Sequence, residues 1–356
     1  MKKIGIWLLT VLFCLLFTGC SFWLQDTYVS VKPYHVQDVG TEYEVITANS
    51  YTDVRQALEA MVADCVQSAI IAVPGLDENT IDYYMSSATN YIIRNNAICA
   101  YAVNQISYEI GTNGGDLAIA VDIDYNYSRI NILRLKRVED DAAAVAEMEI
   151  ALQQYEPEIT MIISDYQESD FLQLAQDFVD KNPQLCVEMP QINVTLYPES
   201  GRERVLVLTF TYWNSREVLR SMQDNVQDVF GQLKVDGDTP GQKAAGLYTF
   251  LASQHEYKME TSITPSYSLL RHGVGDSKAF ATIYAAMCRQ VGVDCKVVSG
   301  ARGGEAWHWN VIRDGSVLYY VDILRCLENG SFALLRENEM KGYVWDYSAF
   351  REEQAQ

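Results

Sequence analysis

The sequence predicts an α+β protein, in which two copies of a helix and β-hairpin module precede a C-terminal domain of mixed helix and strand. Three observations carry this. From about residue 51 to 235 the chain answers itself at an offset of 87: Asn95 with Asn182, Cys99 with Cys186, Tyr125 with Tyr212, and Ser128-Arg129 with Ser215-Arg216. Within each copy, paired stretches alternate apolar and polar residues, with Val121, Ile123 and Tyr125 on one face, as are Leu208, Phe210 and Tyr212. Beyond both copies, a Gly-punctuated loop, a helix, a turn and a buried strand follow one another from Tyr267 to Gly300.

The first twenty residues read as an export signal. Lys2 and Lys3 precede an apolar run from Ile4 to Phe17, and Thr18-Gly19-Cys20 supplies small residues for cleavage. The run is shorter than the ~20 apolar residues that a membrane span needs. The segment resembles a bacterial lipoprotein signal, which implies cleavage before Cys20, lipidation of its thiol, and a place on the outer face of the cell membrane. Residues 21–50, polar and without period, are expected to form a tether, either free along its length or joining a sheet edge.

The duplicated region divides into modules at about 51–155 and 156–235. In the first, SAIIAV leads to a helix over 79–94, strands over 97–109 and 117–125 joined by GTNGGD, and a helix over 142–154. The second has EITMII, a helix over 169–180, strands over 185–196 and 205–212, and a helix over 215–233. Additional matches at the same offset, Tyr84, Ala88 and Tyr91 with Phe171, Ala175 and Phe178, lie on helix faces. Hairpins backed by helices make an α+β layer. The paired Ser-Arg at 128–129 and 215–216 is either an anion site at each helix start or a serine cap beside a solvated or ion-paired arginine.

VDGDTPG, within Lys234 to Gly241, is the expected linker. A helix over 242–255 then opens the C-terminal domain, which runs from about 240 to 350. In the next helix, expected over 278–291, Phe280, Ile283, Tyr284, Met287, Cys288 and Val291 recur at three-and-four spacing. Asp276 or Ser277 is its natural N-cap and Gly292 its stop. CKVVS then reads as a strand, and a hairpin turning at Asp314-Gly315 returns through Val317 to Ile323.

YSLLRHGVGDSKAFATIYAAMCRQVGVDCKVVSG, followed by EAWHWNVIRDGSVLYYVD and FALLRENEMKGYVWDY, resembles the transglutaminase-like superfamily over about a third of the chain. The resemblance implies a papain-like frame with a Cys–His–Asp site. The nucleophile's place falls on Ser277, the histidine's on His308 before Trp309-Asn310, and the aspartate's on Asp322 in YYVD. A serine hydroxyl is not ionised by a helix dipole as a thiol is, so Ser277 would need a well-placed histidine and an oxyanion hole. Ser277 is therefore either the nucleophile of a Ser–His–Asp hydrolase or acyl transferase, or a capping residue in a site that no longer reacts. His308 directly abuts Trp309, whereas the family usually places one residue between. Either His308 keeps its slot on a shortened strand or Trp307 occupies it, because a one-residue slip turns a side chain to the other face. Asp322 either orients His308 or bonds local amides at a strand end.

Charge and composition remove other classes. A net charge of −20, or −22 once Lys2 and Lys3 are cleaved, repels phosphate backbones, so no nucleic acid is expected as partner. The four histidines pair with no cysteine at ligand spacing, so no metal or other cofactor is expected. Cys65, Cys99, Cys186, Cys288, Cys295 and Cys326 read as buried thiols. The chain is expected to be a lipid-anchored envelope protein whose degenerate cleft binds a peptide, a cell-wall fragment or a partner protein. The rival readings are the Ser277–His308–Asp322 enzyme, or a duplicated region that itself carries the binding groove.

Overall fold

Short oxygen-bearing side chains open most of the helices. Ser50, Asp77, Asn96, Ser128, Asp140, Asp170, Ser215, Thr239, Asp276 and Asp322 each stand at an N-cap and accept a first-turn amide hydrogen. The computed structural model describes residues 45–346. The expected signal, Cys20 and most of the expected tether lie outside the described residues. The chain divides into two units, 1–134 and 135–356.

In the first unit β1 (Val45–Thr47) leads to α1 (Tyr51–Ala63), β2 (Ser68–Ala72), α2 (Glu78–Asn95), a short α3 (Ala97–Ala102), the hairpin β3 (Val103–Asn113) and β4 (Asp116–Tyr125), and α4 (Arg129–Leu133). The sheet runs β1-β2-β4-β3, with the first pair parallel and the others antiparallel. Its core face, with Ile71, Ile106, Tyr108, Val121 and Ile123, packs under Leu58, Met61, Ile81, Met85 and Ile92 of the two long helices. One expectation shifts here. Residues 97–102 form a helix rather than the start of a strand, because Asn96 accepts the Cys99 amide and caps a turn. Val45–Thr47, at the end of the expected tether, joins the sheet edge, as one form of that expectation had it.

In the second unit, β5 (Lys136–Asp140), α5 (Asp141–Gln154), β6 (Glu158–Asp165), α6 (Phe171–Lys181), β7 (Gln191–Tyr197), β8 (Arg204–Thr211) and α7 (Arg216–Gly231) build a sheet β5-β6-β8-β7. Its pairing directions repeat those of the first sheet. The expected division at 155/156 gave the helix over 142–154 to the first module. That helix instead packs on β5, β6 and α6 of this sheet, so the second set of elements begins at 136. Strand β7 starts at Gln191 rather than 185, after Pro190, which lacks the amide that a ladder needs.

The same unit continues through α8 (Pro240–Gln254), α9 (Pro265–His272), α10 (Ser277–Gln290), β11 (Cys295–Arg302), β12 (Glu305–Asp314), β13 (Val317–Val321), α11 (Ile323–Asn329) and β14 (Tyr343–Trp345). Two short strands, β9 (Lys258–Met259) and β10 (Val274–Gly275), pair before α10. The large sheet runs β13-β12-β11-β14 and is antiparallel throughout. Helix α10 is buried from Ala279 to Cys288 on every side, as a helix at the centre of a domain must be. It begins one residue earlier than the periodicity indicated, with Asp276 as its cap. One contiguous core joins the β5–β8 sheet to this helix, from Val138 and Phe171 through Phe280 and Met287 to Cys326. Residues 234–241, expected as a linker, thus connect elements that share a single interior. The strand expected over 317–323 stops at Val321, because Asp322 turns to cap α11.

Candidate functional site

The N-terminus of α10 sets one side of the site. Asp276 accepts the Ala279 amide at 2.9 Å and the Thr261 hydroxyl at 3.0 Å, which fixes the first turn. Ser277 opens the helix and is buried. Its Oγ accepts the His308 backbone N–H at 3.3 Å and stands 3.5 Å from His308 Nδ1. Hydroxyl hydrogen bonds centre near 2.8 Å, so the side-chain contact is long. Burial depresses the pKa of His308 below its ordinary value, and the Lys278 ammonium adds to that, against the opposing pull of Asp276 and Asp180. The imidazole is therefore neutral at pH 7, the form that can take a proton. Lys278 is itself paired with Asp180 of α6 at 2.8 Å.

The register of β12 decides the other side. Asn310 points to α10 and donates to the Ala281 carbonyl at 2.8 Å, and Ile312 belongs to the same core. His308 shares that face by alternation. Trp309 and Val311 lie on the opposite face, packed with Tyr320, Tyr343 and Trp345. Asp322 serves this opposite face. One of its carboxylate oxygens accepts the Trp307 indole N–H at 2.9 Å, the Tyr343 hydroxyl at 2.7 Å and an Arg302 guanidinium N–H at 3.5 Å. The other oxygen accepts the Arg325 amide at 3.1 Å. Asp322 is 3% exposed, so these donors do for it what water would otherwise do. Arg302 lies over the Trp307 ring and also bonds Glu328. Burial, and then the bond to Asp322, push the Tyr343 hydroxyl well above its ordinary pKa.

The structure thus brings together two of the three expected residues. Ser277 and His308 meet; Asp322 makes no hydrogen bond to His308. Alternation along β12 explains it: His308 faces α10, and its neighbour Trp307 faces the other way and donates its indole N–H to Asp322. His308 therefore reaches Ser277, and Trp307 stands beside Asp322. Alternation along EAWHWN was the signal that could have identified Trp307; Arg302 and Tyr343 had none.

The other histidines, the thiols and the paired Ser-Arg fall outside this site. His255 bonds the Leu270 carbonyl and His272 packs on Tyr267. The six thiols are free and buried, and burial raises the pKa of Cys99 and Cys186 to about 12, so they are poor nucleophiles. Ser128 and Ser215 cap their helices, Arg129 bonds the Asp64 carbonyl and Arg216 pairs with Glu156, as the capping alternative requires. Among the described residues no cluster could hold a metal ion, and no helix is long and apolar enough to cross a membrane.

Residues 229–347 match the model of the transglutaminase-like superfamily, and the chain carries a transglutaminase-like domain there. No curated protein matches the chain. Among solved structures it is similar to a candidate cysteine protease from Cytophaga hutchinsonii, at 11% identity and a TM-score of 0.24 over 44% of this chain and 70% of that one. It is also similar to a TGase, at 10% identity and a TM-score of 0.24 over 59% of this chain and 62% of that one. A candidate protease from Parabacteroides distasonis matches at 9% identity and a TM-score of 0.19, over 64% of this chain and 52% of that one.

Proposed function

We propose that this is an envelope binding protein, held to the outer face of the bacterial cell membrane through a lipid on Cys20, whose transglutaminase-like domain does not catalyse. Its ligand is a peptide, a cell-wall fragment or a partner protein. The two sheets of like topology are two copies of one module that began as a duplication. One observation carries the non-catalytic reading: Asp322, the carboxylate that would orient a catalytic histidine, is committed to Trp307, Tyr343, Arg302 and the start of α11, on the sheet face away from His308. Without that partner no carboxylate is hydrogen-bonded to the His308 ring to hold its tautomer, and the pull of Asp276 and Asp180 on the imidazolium is outweighed by burial and Lys278.

The rival reading is an amide or ester hydrolase, or an acyl transferase, using Ser277 and His308. The 3.5 Å contact and the neutral imidazole favour it. A fluorophosphonate probe separates the two. Full-length protein in detergent is expected to remain unlabelled, alongside Ser277→Ala and His308→Ala. Labelling that disappears in both variants would sink the non-catalytic reading and leave an enzyme.

A further inference from the structure

One edge of the C-terminal sheet is partly open. Strand β13 pairs with β12 on one side only, and alternate residues turn their backbone groups outward. Tyr320 is one of these, and its N–H and C=O are both taken by Leu335, at 2.8 Å each. Leu318, two residues earlier, turns the same way, and its N–H and C=O meet no partner among the described residues. The chain does not continue along the edge past Leu335. At Arg336 it swings off into a 3-10 turn, held by the Glu339 carboxylate on the Arg336 amide. A cavity of about 640 Å³ is left between the turn and the strand, lined by Leu318, Tyr320, Arg336, Glu337 and Asn338.

Arg336 gives this cavity its chemistry. Its guanidinium lies over the Tyr319 ring at 4.5 Å and donates to the Tyr319 hydroxyl at 3.3 Å, and no carboxylate holds its side chain among the described residues. In a chain with 47 acidic and 27 basic side chains, Arg55, Arg137, Arg202, Arg216, Arg302 and Arg313 all have carboxylate partners. A fixed guanidinium beside an open strand edge offers a fork for a carboxylate and a backbone pair for an extended chain. Glu337 lines the same cavity and rejects a ligand with more than one adjacent negative charge.

We propose that this edge binds an extended peptide bearing an isolated carboxylate, which pairs with Leu318 through two backbone hydrogen bonds and sets its carboxylate on Arg336. The site is separate from Ser277, so it stands whether or not the domain catalyses. The test is fluorescence polarisation of full-length protein in detergent, with fluorescein-labelled Val-Glu-Val-Thr-Val, its lysine counterpart, and a version N-methylated at alternate residues. The glutamate peptide is expected to bind, and the other two to bind at least tenfold more weakly. Arg336→Gln is expected to lose at least tenfold, with thermal unfolding unchanged, while Arg202→Gln leaves binding as it was. No saturable binding of the glutamate peptide, equal binding of the lysine or N-methylated peptide, or indifference to Arg336→Gln would each overturn the site. None of these results bears on fluorophosphonate labelling of Ser277, so the two readings fail separately.

Discussion

On the α10 side of β12 a hydroxyl and an imidazole stand 3.5 Å apart, while on the other side one carboxylate oxygen collects an indole, a phenol and a guanidinium, with the Trp307 and Tyr343 donors within 3 Å. Both constellations descend from the same short sequence, and alternation sends neighbouring residues to opposite faces. The loose side has a hydroxyl and an imidazole at a long contact. The tight side has the geometry of a structural node, with each donor committed. The Asp322 carboxylate is the fastening between β12, β14 and α11. The residues therefore differ less in kind than in how completely their hydrogen bonds are satisfied.

Mutations can break this contrast, and the largest effect is expected from the tight side. Asp322→Ala leaves a half-buried indole N–H and a buried phenol without their acceptor, takes one of two carboxylates from Arg302 and uncaps α11, and should cost about 3–5 kcal/mol in urea unfolding. Asp322→Asn, which keeps acceptor oxygen, should cost less than half of that. An equal loss in both variants would mean that the charge, and not the hydrogen bonding, holds the node. Next is Asn310→Leu, which removes the bond to the Ala281 carbonyl beneath α10 and should cost about 1–3 kcal/mol.

A smaller effect comes from acid. Because His308 is held below its ordinary pKa of about 6.5, the unfolded chain takes up its proton first as pH falls. The stability tied to neutral His308 is complete above that value and is lost as pH drops through the folded pKa. Proton NMR should find the His308 midpoint below 6.5, and His308→Gln should flatten the loss of stability on that acid side. A midpoint at or above 6.5 would remove the burial account. Smallest of all, Ser277→Ala should change stability by about 0.5 kcal/mol or less, since the amide of His308 loses only a long bond. A loss several times larger would show that the loose side is tighter than its distances.

Much of this was legible in the sequence, though unevenly. The α10 pattern, its Asp276 cap, the stop at Gly292 and the Asp314-Gly315 turn are local, and local rules found them within a residue or two. The transglutaminase-like domain was legible because its loop, helix and strand are contiguous. Two misses have different causes. Lys136–Asp140 is a polar edge strand with no apolar alternation to announce it, and its pairing with β6 is distant in sequence. Ala97–Ala102 reads as strand by its apolar run, although its cap Asn96 is a near neighbour. The side chains gathered on Asp322 come from β11, β12 and β14, and no local rule announces them. Which face of β12 His308 takes is also a tertiary fact, fixed by the bond of Asn310 to the Ala281 carbonyl.

The shared interior of residues 138–326 has a practical side. Lys278 is clasped by Asp180, and Arg289 donates to the Lys181 carbonyl, so the far end of α6 is buttoned to the central helix at two points. Amides of α6 and α10 should therefore exchange with deuterium in one cooperative step rather than as two domains. A chain begun at residue 240, however natural that start looks among Gly and Pro, would strip a face from the central helix and should be recovered as aggregate.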